Sequence, residues 1–233
     1  MYIDIIQYHA SQNLEALISL QRHVGFHATI IAVDEWNLVD YILELNTQST
    51  YPLIPMLTVD RLNVKSEYVG KAIVAASVGD EKEFRKALRS PYLSVITLNL
   101  GSLSNIINLR TIHLARQYRK FIEIPLAPLL RASPSHRVHL FRSLYRKAPL
   151  LSKSFLGVVF SSRAMDIFDV ISPRQIRAIL IEAGFRDRAI KSFLKINTLK
   201  LILSPLETLI VKDERLLEAI YKIRNIAVTD YSG

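Results

Sequence analysis

A chain of 233 residues, half of them hydrophobic, is long enough to bury a sizeable core and too apolar to be disordered throughout. It contains no cysteine, which excludes disulfides, thiolate nucleophiles and zinc–sulfur sites and suits a reducing compartment. No apolar run approaches the roughly 20 residues that a membrane span requires, and the N-terminal MYIDIIQYH lacks the basic region of a signal peptide. We therefore expect a cytoplasmic protein without a membrane segment.

The net charge of +9 is concentrated in one part of the chain. Residues 1–130 contain 12 Lys and Arg and 12 Asp and Glu, whereas residues 131–200 contain 14 against 4, a net charge of +10. Residues 201–233 have a net charge of −1. A local basic region is typical of a nucleic-acid-binding surface, although a solvated face kept for solubility would have the same composition.

Strand-like and helix-like runs alternate along the chain. The predicted strands are residues 2–6, 27–33, 51–59, 71–78, 93–98, 121–124 and 155–160. The predicted helices are residues 13–24, 35–45, 81–88, 105–118, 133–148, 173–183, 186–196 and 213–225.

About seven apolar strands separated by helices favour parallel pairing, because parallel strands need crossovers that cover both faces of the sheet. No Gly-rich phosphate-binding motif follows any strand, so a dinucleotide-binding fold has no support. We expect an α/β, TIM-barrel-like (β/α) barrel that forms one domain over residues 1–233. The Leu203-Ser204-Pro205 sequence predicts a break, followed by a C-terminal helical extension over about residues 204–233.

Residues 155–184 contain the clearest local pattern, FLGVVFSSRAMDIFDVISPRQIRAILIEAG. An apolar, β-branched run that predicts a buried strand is followed by a polar loop. Ser172 and Gln175 then predict a capping box, with Pro173 at the first helical position, where its missing N–H costs nothing. Gly184 ends the helix.

This order of features resembles the ribonuclease P protein component 3 family, the barrel-like protein subunit of the archaeal and eukaryotic enzyme. The shared features are a strand that ends in Ser-Ser, a loop, Ser-Pro-Arg, an apolar helix that ends in Gly, and a further short helix, here within residues 185–196. Weaker agreement extends over YIDII, HATIIAV and KFIEIPLAPLL. The chain departs from the family at Arg163, where Gly is usual, and at Gln175, where an acidic residue is usual.

The resemblance implies a barrel related to the PHP type and an RNA-binding protein subunit of ribonuclease P, which removes the 5′ leader of precursor tRNA. It implies that the RNA subunit performs the chemistry with Mg²⁺ and that the isolated protein is inactive and binds no cofactor itself. The implied partners are ribonuclease P RNA, precursor tRNA, ribonuclease P protein component 2, in a two-plus-two assembly, and other ribonuclease P proteins.

Basic side chains of two predicted helices form stripes opposite their apolar faces. In the first helix we assign Val138, Phe141, Leu144 and Tyr145 to the inner face, with His139, Arg142 and Arg146 on another face. At the end of the 155–160 strand, Arg163 could bind phosphate or pair with Asp166 or Asp169, and the sequence leaves these alternatives open. The candidate RNA-binding residues are Arg142, Arg146, Lys147, Arg163, Arg174, Arg177, Arg188, Lys191 and Lys195.

The alternative function is a divergent metal-dependent phosphoesterase with a PHP-like barrel. His9, Asp34 and Asp60 follow predicted strands and could approach one another, but no His-x-His pair is present, and imidazole-rich ligation is therefore missing. Ser161-Ser162 lacks the Gly-x-Ser-x-Gly context of a nucleophile. Glu123 could act as a base or pair with a cation, and we assign no catalytic or metal-binding residue.

Overall fold

Seven parallel strands form one curved sheet in the order β1 to β7, in a computed structural model that describes residues 1–59, 64, 69–153, 157–207 and 211–232. Each strand pairs in parallel with the next one along the chain. This confirms the predicted α/β barrel with about seven parallel strands. The strands are β1 (Ile3–Gln7), β2 (Ala28–Val33), β3 (Leu53–Val59), β4 (Ile73–Val78), β5 (Val95–Leu98), β6 (Phe121–Pro125) and β7 (Gly157–Ser161).

Helices connect the strands and surround the sheet. They are α1 (Leu14–His23), α2 (Trp36–Gln48), α3 (Glu81–Arg89), α4 (Leu103–Ile106), α5 (Leu109–Gln117), α6 (Ala127–Arg131), α7 (Pro134–Lys153), α8 (Pro173–Glu182), α9 (Asp187–Lys191), α10 (Asn197–Glu207) and α11 (Glu214–Ser232). A 3-10 turn (Ile167–Asp169) lies between β7 and α8, and a π-helical turn (Ser192–Ile196) joins α9 to α10. None of the helices in these described ranges is long and apolar enough to cross a membrane.

The last strand returns to the first, so that the barrel is nearly closed. The backbone N–H of Arg163, just beyond β7, donates to the carbonyl of Ile5 at 2.9 Å, and Gln7 N–H donates to the carbonyl of Ala164 at 3.0 Å. Strand β2 is buried along its whole length, as expected for a parallel sheet that is covered on both faces. The carboxyl ends of β1 and β7 therefore lie side by side at one mouth of the barrel.

Helix α7 buries a different face from the predicted one. Leu144 is buried as expected, but Val138 and Tyr145 are 55% and 58% exposed. The buried row instead contains Leu140, Leu144 and Ala148, at intervals of four residues. The helix extends beyond the predicted end at residue 148 and packs against α4, and these contacts select the face that turns inward.

Two helix boundaries also differ from the prediction. The helix predicted over residues 105–118 is divided into α4 and α5, because the side chain of Asn108 accepts the backbone N–H of Thr111 at 3.0 Å and begins a second helix. The break predicted at Pro205 is wrong, since α10 continues to Glu207. Proline cannot donate to the carbonyl of Leu201 four residues earlier, and the hydroxyl of Ser204 donates to that carbonyl at 2.8 Å instead.

The C-terminal segment packs on the barrel of its own chain. Helix α11 contacts α2 and β3, and buries Leu216 and Ile220 in the same apolar cluster as β1, β2 and β3. Arg215 forms an ion pair with Asp40 of α2 at 3.1 Å, and Lys222 donates to the carbonyl of Asn46 at 3.1 Å. These contacts cover the outside of the sheet at β3 and the adjacent face of α2.

Candidate nucleic-acid interface and the barrel mouth

A buried ion pair fills the mouth of the barrel at the carboxyl ends of β6 and β7. Glu123 is fully buried, and Arg163 is only 8% exposed. Nε of Arg163 donates to Oε1 of Glu123 at 2.7 Å, and Nη2 donates to Oε2 at 2.8 Å. This bidentate geometry is that of a strong guanidinium–carboxylate pair. In β/α barrels this is the edge at which active sites are built, so the residues that occupy it bear directly on function.

Neighbouring strands satisfy the remaining hydrogen-bonding capacity of the pair. Ser161 of β7 and Thr97 of β5 each donate a hydroxyl to Glu123 at 2.7 Å. Arg163 also donates to the side-chain oxygen of Gln7 in β1. Burial alone would raise the pKa of Glu123, but the charge of Arg163 and these hydrogen bonds outweigh it, so the pKa lies below its ordinary value. The pair thus links four strands and keeps Glu123 ionised.

The position of Arg163 corrects the expected ion pair. Its partner is Glu123, not Asp166 or Asp169. Asp169 pairs with Arg131, and Asp166 caps the 3-10 turn. Because the guanidinium is buried and engaged by Glu123 and Gln7, the structure gives no support to the prediction that Arg163 contacts phosphate.

The backbone explains why glycine suits position 163. Arg163 has φ of 48°, in the left-handed region that residues with a Cβ adopt only at a cost. The family resemblance expects Gly here, which adopts this conformation freely. Arg163 therefore adopts a strained backbone conformation, and its side chain is directed to Glu123.

A second buried carboxylate belongs to Asp4 of β1, and its side chain is bonded to Gln21 of α1. Its Oδ1 accepts the backbone N–H of Ser162 at 2.8 Å, its Oδ2 accepts the side-chain amide of Gln21 at 2.8 Å, and the hydroxyl of Ser162 also donates to it. Burial raises the pKa of Asp4 to about 6, despite the opposing effect of these hydrogen bonds.

The two serines at the end of β7, Ser161 and Ser162, therefore bond to two different carboxylates. Successive side chains of a strand face opposite sides, so that Ser161 reaches Glu123 inside the barrel and Ser162 reaches Asp4 outside it. Ser162 also accepts the backbone N–H of Ala164 at 3.2 Å, so that its hydroxyl holds the loop that follows the strand. The sequence alone did not reveal Asp4 as a partner, since the residues are far apart in the chain.

The residues proposed for a metal site do not form a ligand cluster in the described part of the chain. His9 Nδ1 lies 3.6 Å from Asp34 Oδ2, and Asp60 lies outside the described residues. Within residues 1–59, 64, 69–153, 157–207 and 211–232 no group of three or more His, Cys, Asp or Glu side chains is placed to hold an ion. The mouth contains Arg163 instead, and the phosphoesterase alternative is not favoured.

The predicted basic stripe of α7 borders a cleft against α4. Arg142 and Arg146 are exposed, and the hydroxyls of Ser104 in α4 and Ser143 in α7 lie 2.8 Å apart beside them. Cationic and imidazole side chains make up much of the lining, which comprises Gly101, Ser104, His136, His139, Leu140, Arg142, Ser143 and Arg146. His136 was not among the predicted residues, although its place three residues before His139 extends the same stripe.

A second basic group joins α8 to α9. Nη2 of Arg177 lies 2.9 Å from Oδ1 of Asp187, and Nζ of Lys191 lies 3.5 Å from Oδ2 of the same carboxylate. Hydrogen bonding from Arg177 and the two positive charges lower the pKa of Asp187. The structure thus brings two of the predicted residues together around an acidic residue that the sequence analysis did not consider.

Helix α7 is in contact with the end of α8. The Tyr145 ring of α7 lies beside Gly184, at the end of α8, where a Cβ would contact it at 3.4 Å. Arg142 and Arg146 flank Tyr145 along α7, while Arg177 and its partner lie on either side of Gly184 in the chain. Helix α7, which carries Arg142 and Arg146, therefore contacts the end of α8, which carries Arg177.

The remaining predicted residues differ from one another in exposure and in location. Arg174 and Arg188 are exposed, and Lys147 is half-buried. Lys195 is also half-buried, with its ammonium group 4.8 Å from the centre of the Tyr2 ring, next to the start of β1. It packs at the amino-terminal end of the barrel, so the structure does not group Lys195 with the other candidates.

The fold and the mouth define a β/α barrel whose usual active-site position is filled by its own side chains, with basic helices on the outside. The sequence matches the family model described as RNase P subunit p30 over residues 58–206, more than half of the chain. The chain therefore belongs to the RNase P subunit p30 family and is a protein subunit of ribonuclease P. This confirms the family that the segment around Ser-Pro-Arg indicated.

A solved structure is similar in fold. A chain in the cryo-EM structure of archaeal ribonuclease P with mature tRNA matches with a TM-score of 0.68 and 17% sequence identity, over 95% of this chain and 93% of the archaeal chain. At this identity the likeness shows a shared barrel. Comparison with curated proteins found no match.

Proposed function

We propose that this subunit binds the RNA of ribonuclease P through the basic residues of α7, α8 and α9, while the RNA cleaves the 5′ leader of precursor tRNA with Mg²⁺. The observation that supports this most directly is the location of the charge. Residues 131–200 have a net charge of +10, and Arg142, Arg146, Arg177 and Lys191 of that segment are exposed on helices that meet where Tyr145 of α7 lies beside Gly184. Such a surface neutralises phosphates without requiring a catalytic residue.

The catalytic part of the proposal is supported by the mouth of the barrel. A metal-dependent phosphoesterase of this fold would need several ligands and an open position for substrate there. Glu123 is instead saturated by Arg163, Ser161 and Thr97. On this basis the protein binds no catalytic metal itself, and Mg²⁺ enters through the RNA.

The partners follow from the family and from the similar archaeal particle. We propose association with ribonuclease P RNA, precursor tRNA and other ribonuclease P proteins, since the archaeal structure that matches contains ribonuclease P with tRNA. Pairing with component 2 in a two-plus-two assembly, and a cytoplasmic location, rest on the family resemblance alone.

A reconstitution experiment tests this function. Purified protein should leave precursor tRNA intact in Mg²⁺, Mn²⁺ or Zn²⁺, and cleavage at the 5′ leader should require addition of the RNA subunit. The RNA subunit with the other protein subunits should gain activity when this chain is added. Metal-dependent cleavage by the protein alone, abolished by His9→Ala, would instead establish the phosphoesterase alternative.

A further inference from the structure

The 3-10 turn between β7 and α8 exposes apolar side chains that do not contribute to the core. Phe168 is 88% exposed, more than any other large apolar side chain in the described residues, and its neighbour Ile167 is 47% exposed. Leu130, at the adjoining end of α6, is 38% exposed. An isolated exposed apolar residue is ordinary, but an aromatic ring almost wholly in water, with a second exposed apolar side chain next to it in the same turn, is typical of a binding surface.

The turn that presents Phe168 is held firmly by hydrogen bonds. Oδ1 of Asp166 accepts the backbone N–H groups of Phe168 at 2.8 Å and Asp169 at 3.2 Å. The carboxylate of Asp169 accepts Met165 N–H at 3.1 Å and Nε of Arg131 at 2.9 Å. The ring is therefore displayed by an ordered turn, which reduces the entropy lost when a partner binds it.

The charge around Phe168 is opposite to that of the surrounding segment. Residues 131–200 contain only four acidic residues, and two of them, Asp166 and Asp169, flank Phe168. Asp166, Asp169 and Arg131, the cation that pairs with Asp169, together have a net charge of −1, whereas residues 131–200 as a whole have a net charge of +10. A nucleic-acid site that stacks a base would be expected to have cations beside the aromatic ring, because each base is attached to a phosphate.

We propose that the 166–169 turn docks on another protein subunit of the particle, with Phe168 inserted in an apolar pocket whose rim is basic and faces Asp166. This partner rests on the proposed function, which supplies a particle with further protein subunits. Aromatic anchors in desolvated pockets dominate the binding energy of protein interfaces. Truncation of Phe168 should therefore weaken the protein contact by at least about 10-fold, which corresponds to roughly 1.4 kcal/mol.

Two titrations of labelled full-length chain separate a protein contact from an RNA contact. One measures its affinity for ribonuclease P RNA alone, and the other its affinity for the same RNA bound to the other protein subunits. Phe168→Ala should bind RNA alone like the wild type and bind the protein-containing particle at least about 10-fold more weakly. Phe168→Leu should recover part of this loss, because an apolar pocket accepts a leucine side chain.

Tyr221→Ala is the matched control, since Tyr221 is an aromatic residue of α11 that is 45% exposed on another side of the barrel. It should behave like the wild type in both titrations, and thermal melts should show the same folding stability for all three variants.

Loss of RNA-alone affinity in both Phe168 variants would show base stacking, since leucine lacks the planar ring, and would overturn the protein partner. Unchanged binding of Phe168→Ala in both titrations would also overturn it. A wild-type chain that binds neither RNA nor the particle would overturn the proposed function and the partner derived from it.

Discussion

At position 163 the backbone and the side chain favour different residues. The left-handed φ of 48° favours glycine, whereas the buried carboxylate of Glu123 requires a cation. Removing one member of a buried ion pair typically costs about 3–5 kcal/mol, more than the roughly 1–2 kcal/mol of a left-handed residue with a Cβ. The electrostatic requirement is the larger, which accounts for an arginine where the family resemblance expects glycine.

Arg163→Gly should therefore destabilise the protein by about 1–4 kcal/mol in urea unfolding at pH 7, the cost of the lost pair less the relieved strain. Adding Glu123→Gln should restore part of this loss, giving a coupling of about 1 kcal/mol or more in a double-mutant cycle.

The pH dependence gives a second readout of the same pair. In the wild type the lowered pKa of Glu123 contributes stability that is present above the unfolded pKa and is lost as pH falls. In Arg163→Gly burial should raise that pKa, so the difference between the two proteins should grow as pH rises through the acidic range. Arg119→Gly is the control, because exposed Arg119 has φ of 52° and should tolerate glycine with unchanged or slightly higher stability. Additive effects of the Arg163 and Glu123 changes would contradict the pairing.

Among the elements, α8 follows the sequence prediction in detail. Ser172 accepts Gln175 N–H at 3.3 Å, and Gln175 accepts Ser172 N–H at 2.9 Å, while Pro173 occupies the first turn. All three residues are consecutive or nearly so, and the cap needs no distant partner. Helix α7 shows the opposite case, because its amphipathic pattern allowed two faces and contact with α4 selected one.

Ser172→Ala should lower the free energy of unfolding by about 1 kcal/mol through loss of the cap. Affinity of the folded protein for RNA should stay unchanged, since the hydroxyl is engaged within the helix. Ser172→Thr keeps an oxygen able to cap and should lose much less stability. Chemical denaturation and RNA titration of the three proteins provide the measurement, and a large loss of affinity at constant stability would place Ser172 in the interface.

Over the whole molecule, the excess of positive charge lies in residues 131–200, whereas residues 1–130 contain equal numbers of basic and acidic residues. Each Lys or Arg that contacts phosphate releases counterions, so the logarithm of RNA affinity should fall linearly with the logarithm of salt concentration. Arg142→Ala, Arg146→Ala and Arg177→Ala should each lower the magnitude of that slope by roughly one unit, with little change in sequence preference.

Controls for this prediction come from α3 and from the amino-terminal end of the barrel. Lys82 and Arg85 lie in the charge-balanced part of the chain. Lys82→Ala and Arg85→Ala should therefore leave the RNA affinity and the slope of its salt dependence unchanged. Lys195→Ala should also leave the slope unchanged, because its ammonium group lies over Tyr2. Titrations at several salt concentrations, with thermal melts for each variant, provide the test. Equal behaviour of the α7 and α3 variants would mean that the basic region is only a solvated face.

The sequence by itself determined the number and order of the strands, the cap of α8, the basic region and the family. Each of these depends on residues that are close together in the chain, where apolar periodicity, capping and charge can be recognised directly. The helix predicted over residues 213–225 was recognised for the same reason and corresponds to α11, although the Ser204 hydroxyl bond within α10 beside Pro205 was not foreseen.

Only the tertiary structure decided which residues fill the barrel mouth and which basic residues adjoin. Arg163 meets Glu123 across 40 positions of sequence, and Asp4 meets Ser162 across 158, because closing a sheet brings its first and last strands together. The pairing of Arg163 required a choice among several acidic residues that local pattern leaves equivalent. Burial made that choice, since the one carboxylate inside the barrel beside Arg163 can remain ionised only with a cation next to it.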